Sequence, residues 1–536
     1  MVLYIILLVL IFILLILKTK KSLHMLQQNL YNENNRYLKW VLKNKIDFIN
    51  FEFIVVLVSI LCYFNFTNSK NSMISIAIVL IFCFVYEIYR LYKKYSSEQT
   101  KKVLVITKRV KRLIFTTTLL YLIPIILLTY NFNNSKQVWL MIITITSMSY
   151  LNNFIVFVAM LINHPYERGV YYYYKNKAQN KLRSMPNLKI IGITGSYGKT
   201  SSKNILSDIL NIKYNALPTP KNLNTFNGLI MTVNNHMDKF TDIFIAEMGA
   251  YVKGEIGRLC KLIHPKYGIL TRIGTAHLES FGSEKNIQEG KFELIESLPE
   301  DGIGVLNKDD PKQVSYKLKN KVKIIWIGID NEDVDVRATD IRCDNKGTTF
   351  NVKFNGDKKL YEFKTKLLGN HNVYNILAAL ALGYEFGIPI DSLKQAVKGV
   401  KTVEHRLELK KIGNFYMIDD AYNSNPVGAK SALDVLNMMN GIKVVVTPGM
   451  IELGSKEDKY NKEFGEQIAD VADYAVLIGK KHSKPIYDGL IEKGFDKKNI
   501  IVYNDVREAY AFISTLTGKR EVYALFENDL PDTYNE

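Results

Sequence analysis

The sequence predicts an α-helical membrane domain followed by two α/β domains, one built on a phosphate-binding loop and a smaller, Rossmann-like one. Three observations carry that prediction. Five apolar runs crowd the first third of the 536 residues. From residue 188 onward, short β-type runs alternate with helical patterns. One glycine-containing turn joins the first of those strands to a helix. Alternation of this kind describes a sheet covered by helices, and a chain of this length exceeds what one core organises.

The apolar runs are Val2–Leu17, Phe53–Phe66, Met73–Tyr86, Leu113–Tyr130 and Val138–Ile162. The first, fourth and fifth are long enough, or nearly so, for a bilayer core of about 30 Å. The second and third need flanking Tyr, Phe and Asn to complete a crossing, or form a re-entrant pair. Loop charge fits five spans. Lys18, Lys20, Lys21, Arg36, Lys39, Lys43 and Lys45 separate the first two runs, and a block from Arg90 to Arg112 separates the third from the fourth. The other two connections carry only Lys70 and Lys136. The positive-inside rule then puts the N-terminus outside and everything after Ile162 in the cytoplasm, as a multi-pass protein of the plasma membrane. The first run lacks a basic region before it and a small-residue cleavage site after it, so it reads as a retained span.

The net charge of +18 is concentrated in those membrane-facing loops, and with no nucleic-acid motif that partner is excluded. Cys62, Cys83, Cys260 and Cys343 are scattered without metal-ligand spacing, which excludes a zinc ribbon, and a reducing cytoplasm argues against a disulfide framework.

A Tyr-, Asn- and Lys-rich tract, 166–187, reads as a linker; its Tyr171–Tyr174 block is either an interfacial anchor or the amphipathic start of a domain. The strand Leu188–Ile193 opens the central domain, 188–402. Strands at Ile243–Ala246, Tyr267–Thr271, Gly304–Leu306 and Ile324–Ile327 follow, with helices such as Ser201–Leu210 and Glu284–Ser297 between them. Residues 345–368 alternate as antiparallel strands do, and a helix from Val373 ends before Gly387. The pattern restarts in 403–536, with strands at Phe415–Ile418, Lys443–Thr447, Tyr474–Ile478 and Asn499–Tyr503.

Chemistry enters with Thr194-Gly195-Ser196-Tyr197-Gly198-Lys199-Thr200-Ser201. Gly195 and Gly198 let backbone N–H groups approach phosphate oxygens, and the helix that follows adds partial positive charge. Lys199 reaches the β/γ-phosphates and Thr200 offers its hydroxyl to Mg²⁺. The common eight-residue pattern wants a glycine where Ile193 stands, so this is a shorter variant; an ordinary strand–turn–helix is the alternative. Glu247 ends an apolar strand, where Mg²⁺ needs an oxygen ligand. His277 sits just beyond another strand, although a lone histidine is more often structural.

These segments resemble the Mur ligases, ATP-dependent amide-bond-forming enzymes of cell-wall precursor assembly. The resemblance rests on Thr-Gly-Ser-x-Gly-Lys-Thr-Ser, Thr-Pro-Lys-Asn-Leu-Asn-Thr (219–225), Ala-Glu-Met-Gly-Ala (246–250) and Ala-His-Leu-Glu-x-Phe-Gly-Ser (276–283). Gly-x-His-Asn-x-x-Asn (369–375), His-Arg-Leu-Glu (405–408), Asp-Asp-x-Tyr-Asn-x-Asn-Pro (419–426) and Met-Ile-Glu-Leu-Gly (450–454) complete it, in the family's order.

The branch that adds D-alanyl-D-alanine is the most similar. The resemblance implies that Gly195, Ser196, Gly198, Lys199, Thr200 and Ser201 cradle ATP. Thr200, Glu247, His277 and Lys291 serve two Mg²⁺ ions, with Lys291 as a carbamate; Lys199, Lys291 and His277 are the catalytic set. It further implies Asn372 and Asn375 beside adenine, Arg406 on phosphate and Asp420 on ribose. Asn224 and Thr225 would face the acceptor, and Tyr422, Asn423 and Asn425 the incoming amine. The products are ADP, phosphate and an amide.

Residues 1–165 stand where the family keeps a soluble UDP-sugar-binding domain, so the acceptor reads as either UDP-linked or lipid-linked. Membrane lipid, and possible partners among cell-envelope enzymes, follow from that placement. Phe526-Glu527-Asn528-Asp529-Leu530-Pro531 replaces the Lys-Gly-Ser-Arg of the most similar branch, which leaves the amine donor, an amino acid or a dipeptide, open. A poly-glutamate- or folate-type ligase and a membrane-tethered ATP-binding scaffold are the alternatives. The 419–426 motif speaks against the first, and the presence of Lys199, Glu247, His277 and Lys291 against the second.

Overall fold

The computed structural model describes residues 2–29, 31, 35–43, 51–65, 70–97, 103–129, 135–275, 277–402, 407–421, 426–451, 456–480, 482–516, 518 and 520–528. It divides into two units, Met1–Tyr174 and Lys175–Glu536.

Helices make up the first unit: α1 (Val2–Gln28), α2 (Arg36–Lys43), α3 (Phe51–Asn65), α4 (Lys70–Ser97), α5 (Lys108–Thr129), α6 (Ser135–Tyr150) and α7 (Asn152–Arg183). Among the described residues two are long and apolar enough to cross a membrane, at Ile74–Lys93 and Lys108–Leu128. The third apolar run, short in the sequence reading, thus lies in a helix of crossing length, because Glu87–Lys93 continues it. The fifth run behaves in the opposite way. It is broken at Leu151, where Trp139–Tyr150 and Asn152–Arg183 meet at 74° and form at most one broken span or a re-entrant loop. The second run lies in α3, a shorter apolar helix over Glu52–Leu61, and the first forms the start of α1, where Lys18, Lys20 and Lys21 follow it. Residues 166–183, read as linker, are helical in the second half of α7.

Polar groups gather at the α6–α7 break. Glu52 is almost fully buried, pairs with Lys18, and accepts a hydrogen bond from Ser149 Oγ (2.7 Å). Asn152 accepts from the hydroxyls of Thr19 and Tyr121 and donates to Ser22 Oγ. Pairing these groups with one another offsets the cost of burying them in an apolar helix bundle.

The second unit begins with β1 (Lys189–Thr194), α8 (Lys199–Leu210), β2 (Ala216–Pro218), α9 (Phe226–Asn235), β3 (Ile243–Glu247), α10 (Glu255–Ile263), β4 (Tyr267–Leu270), α11 (Leu278–Phe281) and α12 (Glu284–Glu296). It continues with β5 (Ile303–Asn307), α13 (Pro311–Val314), β6 (Lys323–Gly328), β7 (Val336–Asp344), β8 (Gly347–Phe354), β9 (Tyr361–Thr365), α14 (Asn370–Glu385) and α15 (Ile390–Gly399). The nine strands form one sheet, ordered β2-β3-β1-β4-β5-β6-β7-β8-β9, parallel as far as β7 and antiparallel beyond. Ile205, Leu206 and Ile209 of α8 meet Val373, Ile376 and Leu380 of α14 over Ile191, Ile193 and Ile245 of the sheet. That apolar spacing makes α8 a helix with one buried face.

A second sheet, β10-β11-β15-β12-β13-β14, takes its strands from Glu408–Ile412, Phe415–Asp420, Ile442–Thr447, Tyr474–Ile478, Ile500–Tyr503 and Val522–Glu527, numbered β10 to β15 in chain order. α16 (Pro426–Met438), α17 (Glu457–Ala469), α18 (Lys484–Glu492) and α19 (Val506–Thr515) connect them. Alternate residues serve the two faces. Ile418, Val445, Leu477 and Leu525 enter one core with α16–α18, whereas Met417, Val444, Val476 and Ala524 enter another with α19. β15 runs parallel between β11 and β12, so the last described strand is central to its sheet.

Candidate active site

The first strand in the chain, β1, lies between β3 and β4, so the strand order reverses beside it. In open α/β sheets ligands bind at the carboxyl ends of strands flanking such a point. Three strand ends carry the expected residues: the glycine loop after β1, Glu247 closing β3, and the 271–277 segment after β4.

The loop is pinned from the β4 side. Ser196 N donates to Arg272 O (3.0 Å), Ser196 Oγ to Gly274 O (3.3 Å), and Thr271 Oγ1 to Tyr197 O (2.6 Å). Gly195 adopts φ 149° and Gly198 φ 82°. Gly198 caps α8, no side chain satisfies that turn, and the first intrahelical bond is Ser202 N to Gly198 O. A helix start of this kind attracts an anion. Lys199 Nζ curls back onto Gly195 O (2.8 Å) and Ser196 O (3.1 Å), which holds its charge above the loop. Ser201 follows in the first turn of α8.

A Cβ on Gly195 would lie 1.9 Å from Thr271 Oγ1 and 3.0 Å from the Thr271 backbone, on a φ that side chains rarely adopt. Gly195→Ala is therefore expected to cost about 1–3 kcal/mol in backbone strain alone. Displacement of Thr271 should also abolish stabilisation by nucleotide. Thermal denaturation with and without ATP checks this, and a wild-type midpoint with a wild-type nucleotide shift would contradict it.

Beneath the loop, Glu247 is nearly inaccessible at 2% exposure. Its Oε1 accepts from Thr200 Oγ1 (3.1 Å) and Asn224 Nδ2 (3.0 Å). Its Oε2 accepts no hydrogen bond and sits 3.2 Å from Lys203 Nζ as an ion pair. Lys203 also donates to Lys221 O (2.7 Å) and is as buried as its partner. Thr219 Oγ1 accepts from Glu247 N (3.1 Å) and fixes the strand end.

Lys291 is buried on α12, which starts at Ser283 Oγ accepting from Asn286 N. Its Nζ lies 3.4 Å from Ala250 O and 5.3 Å from the Phe281 ring centre. Burial first, and the Lys199 charge second, push the amine down to about 7. His277 has φ 62° and its ring lies 4.5 Å from that of Tyr251. Burial, followed by the charges of Lys291 and Lys199, holds its imidazole below the ordinary value. The three expected catalytic groups thus sense one another.

Other expected residues have local partners. Asn372 Nδ2 donates to Leu368 O (2.9 Å), and Asn375 Oδ1 accepts from Ser202 Oγ (2.7 Å), tying α14 to α8. Thr225 Oγ1 accepts from Gly228 N (3.3 Å) and caps α9. Asp420 Oδ1 accepts from Leu407 N (3.2 Å). Arg406, Tyr422, Asn423 and Asn425 lie outside the described residues.

With that geometry in place, comparison with known proteins is decisive. Residues 193–383 match the Mur ligase middle domain, and 405–525 match the Mur ligase, glutamate ligase domain. A UDP-N-acetylmuramoyl-tripeptide–D-alanyl-D-alanine ligase of Bacillus subtilis (strain 168) is 34% identical over 339 residues, 62% of this chain and 72% of the relative. The chain belongs to the Mur ligase family. The enzyme of the same name from Escherichia coli (strain K12) is 31% identical over 324 residues, 60% of this chain and 71% of its own. Among solved structures, MurF ligase from Thermotoga maritima in complex with ADP superposes with TM-score 0.58 at 26% identity, covering 66% of this chain and 80% of the other. MurF from Acinetobacter baumannii gives TM-score 0.58 at 25% identity, covering 66% and 77%. This Mur ligase is accordingly an ATP-dependent acid–amino-acid ligase.

Mur ligases use Mg²⁺, and the donors here suit it. Thr200 Oγ1 and Glu247 Oε1 are within hydrogen-bond reach of each other, and Glu247 keeps a buried oxygen without a hydrogen bond. Hard oxygen donors of this kind, few in number, leave positions for phosphate and water. Among the described residues no three of His, Cys, Asp and Glu converge as a closed metal site. The sequence reading missed Lys203 and Thr271. Lys203 stands one helical turn beyond Lys199, on the same face, and that spacing is the signal that would have found it.

Proposed function

We propose that this Mur ligase joins D-alanyl-D-alanine to the carboxylate end of a UDP-linked muramoyl tripeptide, as its relatives' names state for them. One observation carries the reading. The Thr200 hydroxyl, the Glu247 carboxylate and the Asn224 amide meet directly below a glycine-capped helix start. A carboxylate and an amine do not condense in water, so ATP first converts the acceptor carboxylate to an acyl phosphate. Lys199 and the N-terminal turn of α8 stabilise the charge that moves with the phosphoryl group. Thr200 and Glu247 would hold one Mg²⁺, and His277 with Lys291 a second; bound there, the ions neutralise phosphate charge.

Lys291 acts as its carbamate. At pH 7 an amine of pKa about 7 is about half neutral, against roughly one part in three thousand for an ordinary lysine. Only the neutral form attacks CO₂, and the carbamate turns a cation that repels the metal into an anion that supports it. Asn372, Asn375, Arg406 and Asp420 are assigned to the nucleotide, Thr225 with Asn224 to the acceptor, and Tyr422, Asn423 and Asn425 to the amine.

The first unit is assigned to the membrane, with α4 and α5 as spans and the catalytic unit on the cytoplasmic side, where the basic loops lie. Their crossing length favours one second reading, in which the acceptor is lipid-linked. Phosphate release by the full-length protein in lipid, with ATP, Mg²⁺ and D-alanyl-D-alanine, tests both. Release with the UDP-linked tripeptide supports the first reading. Release only with a lipid-linked tripeptide replaces it with the second, and silence with both overturns the donor and acceptor together.

A further inference from the structure

A groove of about 590 Å³ in the first unit is lined by Lys108, Arg112, Tyr166, Gly169, Val170, Tyr173 and Tyr174. Two helices make it. Lys108 and Arg112 are one turn apart at the start of α5, immediately before the apolar sequence that begins at Leu113. Tyr166, Gly169, Val170 and Tyr173 follow i, i+3, i+4, i+7 spacing and so share one face of α7, just past its apolar stretch. Arg109 and Arg112 share one carboxylate, Glu167, which lies 2.7 Å from Arg112 and 3.9 Å from Arg109. Lys108 makes no ion pair among the described residues, and cationic charge is left over.

The floor is open because position 169 has no side chain; a Cβ there would meet nothing within 4 Å. The walls are tyrosine rings, and the Arg112 guanidinium lies 5.0 Å from the centre of the Tyr166 ring. Guanidinium and ammonium donors recognise phosphate oxygens, whereas tyrosine prefers the boundary between hydrocarbon and water. Neither the phosphate-loop chemistry nor the comparisons use these residues, since both family matches begin at or after residue 193.

We propose that this groove binds a phosphate or diphosphate ester at the membrane surface, with Lys108 and Arg112 on the phosphate oxygens and Tyr166 and Tyr173 against the adjoining carbons. It rests on the assignment of the first unit to the membrane. Two sources present that chemistry: the headgroup of an anionic lipid and the diphosphate of a soluble nucleotide-linked acceptor.

The test uses full-length protein in non-ionic detergent, titrated calorimetrically with short-chain phosphatidic acid, short-chain phosphatidylcholine and UDP. Phosphatidic acid is expected to bind at least tenfold tighter than phosphatidylcholine. The Lys108→Gln/Arg112→Gln pair should lose at least tenfold, and Gly169→Leu, whose Cβ would meet no neighbour within 4 Å, should lose as much by filling the floor. Both variants should keep the wild-type thermal shift with ATP, which separates a lost site from a lost fold. UDP binding that Gly169→Leu removes would assign the site to the soluble diphosphate. Equal binding of the two lipids with no such UDP binding, or phosphate binding that survives both variants, overturns the proposal. Alkaline carbonate extraction of cell membranes reads the underlying assignment separately. A chain released by carbonate that still binds phosphatidic acid through the groove refutes the membrane assignment and not the site.

Discussion

Lys291→Ala is expected to bind ATP with near wild-type affinity and to lose ligation by at least about 10²–10³-fold, the scale of removing one electrostatic stabiliser from an active site. The phosphate-loop contacts lie elsewhere, on Gly195, Gly198 and Lys199, so nucleotide affinity survives. Loss of the amine removes the anionic group that would balance metal and transferring phosphate. Formate or acetate, small enough for the volume an alanine vacates, should restore part of the rate. Because the amine is pushed down to about 7, its reactive neutral fraction falls as pH drops below that value. At equal dissolved CO₂, wild-type enzyme previously stripped of it should therefore regain activity faster at pH 8 than at pH 6. Phosphate release with and without added anion measures the first effect. Full activity of the alanine variant in anion-free buffer would refute the carbamate assignment.

Most of the residues assigned to this chemistry were legible in the sequence because they sit at strand ends or helix starts that composition marks clearly, whereas Lys291, midway along α12, came from the family resemblance alone. β1, β3 and β4 are short apolar runs with polar residues immediately after them, and α8 opens on a glycine. The same reading gave β11 to β14 within a residue or two. It overlooked β15, although Val522-Tyr523-Ala524-Leu525-Phe526 is a continuous apolar run. It also overlooked β2 and β10, which are short or carry lysines, and whose strand character comes from pairing with β3 and β11.

The break at Leu151 could not be read from hydropathy, because apolar residues continue through it. What marks it is tertiary: Asn152 and Ser149 turn toward polar partners on α1, α3 and α5. The Glu247 network was half legible. Motif position pointed to Thr200 and Glu247, whereas the direct bond from Asn224 and the ion pair with Lys203 needed coordinates, since pattern alone cannot show which side chain a carboxylate meets.

Lys203→Met has the second large expected effect, and it appears first in stability. The substitution keeps the length and apolar stem of the side chain but leaves Glu247 buried without its cation. Breaking a buried pair from one side costs about 3–5 kcal/mol, because the surviving charge has neither water nor an opposite charge beside it. The thermal midpoint of the ligand-free protein should drop accordingly. Mg²⁺ with ATP would place positive charge beside the same carboxylate, so the variant should gain more from that addition than wild type does. Pairing it with Glu247→Gln gives the decisive comparison. Removing the second charge should recover much of the lost stability, since two neutral side chains of similar volume are tolerated where one orphaned charge is not. Ligation should stay lost in the double variant, which lacks the carboxylate needed beside the phosphates. A ligand-free midpoint of Lys203→Met equal to wild type would mean that Glu247 does not depend on this ammonium. Lys203 would then be packing alone, one turn below the lysine that the sequence singled out.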